Sequence, residues 1–261
     1  MKKHFLTSLI ISALILVGGT AFVNAEEQKS FDSQKVFFYA NMLYEKGEYQ
    51  KALEQYDAIL KRGLQGGNLY YNMGNCYMKM GKVGYAVLLY ERAKRYIPGD
   101  GDLKSNLDYA KSLLEGKPVE PSAKNFILSI LEKPLKDSNI NAITITLFAV
   151  YVGFLVSVFI FIAFPLFRRK WIVMVVVMSL AFLFILFEFG IRYYDEMILS
   201  YGIVVNKDVE SRYEPIDKAA IFFKLREGDK VRILKTRLGW RQIERVDGKR
   251  AWIEKDKVEE I

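Results

Sequence analysis

The sequence predicts a multi-domain membrane protein: an all-α repeat pair with a capping helix, a two-helix transmembrane hairpin, and a small all-β barrel. Three observations carry this. Two apolar stretches without a single charge, 142–167 and 171–187, stand back to back with only Arg168, Arg169 and Lys170 between them. Residues 33–98 resemble themselves at a spacing of 34. Beyond Tyr201, apolar residues alternate with polar ones in short runs broken by glycine.

The amino terminus sets the expected orientation. Lys2 and Lys3 precede an apolar run from Phe5 to Val17, and Val23-Asn24-Ala25 puts small residues where a signal peptidase cuts, before Glu26. Residues 1–25 therefore read as a signal peptide; an uncleaved anchor is the other reading and leaves the same topology. Residues 26 to about 140 are expected outside the cytosol, 168–170 as a basic cytoplasmic turn, and the carboxyl-terminal part outside again. The formal charge of +8 falls to +6 once Lys2 and Lys3 are removed, leaving 36 basic against 30 acidic side chains. An exported chain of that charge suits anionic headgroups and argues against a nucleic-acid partner.

Composition also bears on chemistry. The one histidine, His4, lies in the leader, so the mature chain has no imidazole for base catalysis or metal binding. The one cysteine, Cys76, reads as an inert core thiol. No nucleophile, base and orienting group can be assembled, so the expectation is no enzyme: no catalytic residue, no cofactor and no metal ligand is assigned.

In the repeat region Gly47 recurs as Gly81, Ala52 as Ala86 and Tyr56 as Tyr90. A period of 34 implies a helix, a turn and a second helix per unit. Tyr70, Met73, Gly74, Tyr77, Gly81, Ala86, Tyr90, Ala93 and Pro98 make the second copy resemble the tetratricopeptide (TPR) repeat. The first copy, with Ala40, Leu43, Gly47, Tyr49, Ala52 and Tyr56, is looser. The TPR domain is placed at 26–115, with repeats at 33–66 and 67–100. Leu103, Leu107, Ala110 and Leu114 at helical spacing give a capping helix over 102–114. Pro98 ends the preceding helix.

The resemblance implies a groove for an extended peptide or partner helix, lined here by Phe37, Asn41, Tyr44, Tyr71, Asn75 and Met78. An ordinary helix surface without a ligand is the competing reading. The carboxylate clamp of some TPR proteins needs cations where this chain has Asp102 and Asn106, which points to a protein surface as ligand.

Gly116, Pro118 and Pro121 open a linker and interfacial segment, 116–140, in which Phe126, Ile127, Ile130 and Leu131 suit either a short headgroup-level helix or a tether. The transmembrane helices are expected at 141–167 and 171–194. About 26 helical residues reach roughly 39 Å, enough for a hydrocarbon layer of about 30 Å. Glu188 is a candidate functional carboxylate, or else pairs with Arg192 one turn on.

In 199–261 the runs 203–205, 221–225, 231–234, 240–243 and 251–253 are separated by Gly228, Gly239 and Asp247-Gly248. With Gly239-Trp240 and Ala251-Trp252-Ile253 in order, this part resembles the bacterial SH3-like domain. The candidate ligand loop is Arg212, Tyr213 and Glu214, where the family's usual run is altered. Ten basic residues between Lys224 and Arg250 form either a docking face for anionic lipid, wall polymer or an acidic partner, or a solvated strand surface. Trp240 and Trp252 read as core.

Signal peptide, TPR pair, membrane hairpin and SH3-like domain in this order resemble the BatE family of bacterial aerotolerance (Bat) operon proteins. That resemblance implies a non-enzymatic inner-membrane scaffold acting in envelope stress. Its implied partners are membrane-anchored von Willebrand factor A domain proteins and, indirectly, a MoxR-type ATPase. The alternative is a cell-wall sensor or anchor whose SH3-like domain binds peptidoglycan.

Overall fold

The computed structural model describes residues 32–114, 140–164, 168–194 and 198–261. The leader at 1–25 and nearly all of the linker, with its Phe126–Leu131 helix, lie outside the described residues. The chain divides into two compact units, Met1–Gln65 and Gly66–Ile261.

The first unit is a helical hairpin of α1 (32–45) and α2 (Tyr49–Lys61). Ala40, Leu43, Ala52, Leu53, Tyr56 and Ile59 form its buried side. Gly47 turns the chain with φ at 78°, while its N–H donates to Tyr44 O (2.9 Å) and the Glu48 N–H donates to Leu43 O (2.9 Å). These two bonds close a helix end and need a residue that tolerates the left-handed region.

The second unit begins with the same device 34 residues on. α3 (Gly67–Lys79) ends as the Gly81 N–H donates to Met78 O (3.0 Å) and the Lys82 N–H to Tyr77 O (3.0 Å), and α4 (Val83–Tyr96) follows. The α3–α4 crossing is close because Gly74 has no side chain: a Cβ there would lie 2.5 Å from Tyr90 Cε1. α4 stops before Pro98, and Asp100 caps α5 (Gly101–Ser112) by accepting from the Leu103 N–H (2.8 Å). Leu103, Leu107 and Ala110 are buried. The capping helix therefore starts and stops slightly earlier than expected, and Leu114 lies beyond it, against Gly228.

α6 (Ile140–Ala163) and α7 (Arg168–Tyr193) are long and apolar enough to cross a membrane. Ile145, Phe159, Val173 and Leu180 are among many apolar side chains that face outward along them, a surface suited to hydrocarbon. The two helices pack on each other, with Met178 against Gly153 and Phe182 beside Tyr151 and Phe154. The connection differs from the expected turn at 168–170. Those three residues are the first turn of α7, because Pro165 disfavours helical geometry at Phe164 and ends α6 early. Counting apolar residues missed this.

Seven strands form one antiparallel sheet: β1 (Ser200–Val204), β2 (Val209–Arg212), β3 (Ile221–Leu225), β4 (Lys230–Arg237), β5 (Trp240–Glu244), β6 (Arg250–Glu254) and β7 (Val258–Glu260). Their order is β3-β2-β6-β5-β4-β1-β7. Val204, Val209, Leu225, Val231, Ile233, Ile243, Ile253 and Val258 make the core, and Trp240 and Trp252 are buried as expected. Two strands were not anticipated. β2 hides behind its polar composition, since the buried Ser211 hydroxyl donates to Phe223 O (2.6 Å) and so serves as core. β7 is only three residues long, too short for an alternating pattern to register.

Candidate functional site

The expected groove residues fall into two sets, one in each unit, and the sets share a construction. In the first hairpin the Tyr56 hydroxyl donates to Asn41 Oδ1 (2.5 Å), Phe37 lies against the Tyr56 ring, and Tyr44 meets Tyr49 edge-on. In the second the Tyr90 hydroxyl donates to Asn75 Oδ1 (2.6 Å), and Tyr71 packs on the Tyr90 ring. Asn41–Tyr56 and Asn75–Tyr90 are the same bond, 34 residues apart. Each ties the first helix of a hairpin to the second.

The second set is more heavily braced. Asn106 on α5 donates from Nδ2 to Tyr71 Oη (2.8 Å) and to Asn75 Oδ1 (3.2 Å). Asn106 stands where a clamp cation would be, and its work here is to hold Tyr71 and Asn75 in place. Phe37, Asn41, Tyr44, Tyr71, Asn75 and Met78 are all half-buried. The asparagine carbonyl oxygens are thus committed inward, to the tyrosine hydroxyls.

In the sheet, Arg212 ends β2 and braces the loop behind it. Its guanidinium donates to Ala219 O (2.7 Å) and to Glu210 Oε2 (3.1 Å). Tyr213 is 58% exposed and stacks on Phe222 with centroids 4.3 Å apart. Glu214 is exposed and its carbonyl accepts from the Ile216 N–H (2.9 Å). Of the three, Tyr213 offers the free surface.

The basic side chains of the sheet are largely spoken for. Arg226 pairs with Asp229, Arg232 and Arg250 with Glu244, and Arg245 and Lys249 with Asp247. The hydrogen bond from Arg245 and the charges beside it hold the Asp247 carboxyl down at about 2. Arg241 is buried, donating to Val258 O and to Glu260 Oε1 (2.7 Å). Glu188, on α7, is only 5% exposed.

A feature invisible to sequence reasoning is the seam between α4 and the sheet. Glu91, on α4, is only 6% exposed, yet it meets two cations, Lys111 Nζ at 2.7 Å and Lys230 Nζ at 3.2 Å. Burial alone would raise the Glu91 pKa, but the charges of Lys230, Lys111 and Lys94 outweigh it and hold the carboxyl at about 2. Lys230 also sits 4.9 Å from the centre of the Tyr201 ring. Around this centre the Gly84 N–H donates to Glu227 Oε1 (2.6 Å), and a Cβ at Gly84 would strike that side chain.

The seam extends to the end of the chain. Arg92 donates from Nε to Glu260 O (3.1 Å) and from Nη2 to the same oxygen, and Arg95 donates to Ile261 O (3.1 Å). Partners 139 to 168 residues apart leave no local trace in a sequence. The one available hint is a glutamate on the buried side of an amphipathic helix, between Tyr90 and Ala93.

No protein-family model matches this chain, and no curated protein sequence matches it. Cys76 is fully buried, and burial pushes its thiol up to about 12. It is a packing residue.

Proposed function

We propose that this chain is a non-enzymatic, two-pass membrane scaffold that binds partner proteins through a TPR pair and an SH3-like barrel, the second repeat and the barrel acting as one locked body. The repeat units are α1–α2 and α3–α4, with α5 as cap. The observation that carries the reading is the seam in which Glu91 of α4 meets Lys230 of β4 and Arg92 meets Glu260 of β7, fastening the second repeat to the sheet as a single platform. A platform presenting a groove with tyrosines and Met78, set beside a membrane hairpin, suits holding an extended partner segment near a bilayer. The inner membrane is its place in this reading, with both soluble parts on the extracytoplasmic side.

The partners are those the BatE resemblance implies, membrane-anchored von Willebrand factor A domain proteins and through them a MoxR-type ATPase. The second repeat supplies the Asn75 amide for a peptide carbonyl and the Tyr71 ring and Met78 for apolar side chains. Replacing Met78 by alanine tests this without touching the Asn–Tyr bonds. The variant should lose a co-purifying membrane protein while keeping the wild-type melting temperature. Unchanged recovery of that protein would refute the groove.

One observation favours a second reading, a wall-binding barrel. The exposed Tyr213 ring, held by Phe222, offers a flat face to a sugar ring of peptidoglycan. Calorimetry of the full chain with soluble wall fragments, compared with Tyr213→Ala, decides this reading. Heat lost in the variant supports it, and no heat with the wild type ends it.

A further inference from the structure

We propose that the β4–β5 hairpin makes a separate membrane contact, in which Leu238 enters the headgroup region of an anionic bilayer while Lys235, Arg237 and Lys255 meet lipid phosphates. The proposal rests on α6 and α7 being membrane helices. Its own support comes from strand register, backbone conformation and charge.

Register places the hairpin tip. The Leu199 N–H donates to Tyr194 O (3.1 Å), which sets the end of α7 beside the start of β1 at Ser200. β4 runs antiparallel to β1 with Ser200 opposite Ile233, and it continues to Arg237. Residues 234–238 therefore run past the start of β1, by roughly 17 Å at about 3.3 Å per residue. Tyr193 and Tyr194, half-exposed at the helix end, are the residue type that sits at headgroup level. The hairpin tip thus lies at the end of the sheet where the chain enters from α7.

The residue at the tip is otherwise hard to account for. Arg237 pairs with Trp240, so Leu238 and Gly239 are the whole loop, with φ at 48° and 83°. Loops of that kind favour asparagine or aspartate before glycine, because a side chain with a Cβ in the left-handed region costs about 1–2 kcal/mol. Leucine brings no local hydrogen bond, and its side chain is 85% exposed, so burial in the protein does not offset the strain. Insertion into an interface would.

The charges complete the match. Lys235 and Arg237 are exposed on β4, and the Lys255 N–H donates to Gly239 O (2.8 Å), which brings an exposed lysine beside the tip. Lys235 lies over the Trp252 ring at 5.3 Å. The nearby carboxylates of Glu254 and Asp256 are engaged by Lys257 at 3.8 and 3.1 Å. An apolar tip ringed by cations fits an anionic lipid surface.

The experiment uses the full chain reconstituted in phosphatidylcholine vesicles with and without phosphatidylglycerol. Leu238→Cys, Val246→Cys and Val177→Cys each receive one environment-sensitive fluorophore, since buried Cys76 stays unlabelled. Val177 reports whether α7 is in the bilayer, and Val246 lies at the opposite end of the sheet, beyond β5. With phosphatidylglycerol present, the label at 238 should be quenched by headgroup-level spin-labelled lipid and protected from aqueous iodide. The label at 246 should behave in the opposite way.

Lys235→Gln and Arg237→Gln should each lower the ratio of docked to free hairpin about fivefold. Quenching at 177 by acyl-chain spin-labelled lipid combined with iodide access at 238 overturns the proposal and leaves the membrane reading intact. No quenching at 177 by that acyl-chain label overturns both. A label at 238 shielded from lipid and iodide alike assigns the tip to a protein contact and also overturns the proposal.

Discussion

Lys230→Met should loosen the sheet from α4 without unfolding either, and the size of the effect follows from Glu91. The ordinary carboxyl value is 4.5 and the folded value is about 2, so the cations hold the charged form by about 2.5 units. At about 1.4 kcal/mol per unit this is about 3 kcal/mol. Lys111 lies in the helical part and remains beside Glu91 when the sheet lets go. Lys230 exerts the largest charge effect on Glu91, and its charged contact contributes on the order of 1–2 kcal/mol of docking.

The pH dependence has a definite sign. Because the folded pKa is depressed, the contribution is complete above about pH 4.5 and is lost as the pH falls through about 2. The wild type and Lys230→Met should differ at pH 7 and converge near pH 2. A double-mutant cycle with Glu91→Gln and Lys230→Met isolates the pair from the lost contact between Lys230 and Tyr201. Amide hydrogen exchange of β7 supplies the readout, and the expected coupling at pH 7 is about 1–2 kcal/mol. Strictly additive effects on β7 exchange would show that the seam is held by something other than these charges.

Two further outcomes follow from the packing. Gly74→Val should lower stability by about 1–3 kcal/mol through the clash with the Tyr90 ring, seen as a fall in melting temperature, and Tyr90→Ala in the same chain should recover part of it. An unchanged melting temperature for Gly74→Val would mean the helices do not cross as described. Cys76, with its thiol held protonated up to about 12, should resist maleimide at pH 7.5 in the folded protein and react after unfolding; stoichiometric labelling of the native chain would contradict its burial.

Much of the architecture was legible because it is periodic. Spacing of 34 located four helices and the two left-handed glycines at 47 and 81, since each helix end needs the same backbone conformation. Uninterrupted apolar composition located α6 and α7, though the boundary between them moved because one proline outweighs a hydropathy count. Five of the seven strands were readable as alternation, whereas Ser211 in β2 and the three residues of β7 were not. The groove asparagines were identified as candidates, but their position says nothing of the tyrosine hydroxyls that occupy their carbonyl oxygens.

Local order in this protein was determined by the sequence alone, because helix ends, amphipathic faces and apolar length are set by neighbours within a few residues. Only the tertiary structure decided that Glu91 would meet Lys230, that Arg92 and Arg95 would hold Glu260 and Ile261, and that the Leu238 turn would run past the start of β1. Those pairings depend on where distant segments come to rest after packing, and a buried charge looks like any other glutamate until its partners arrive.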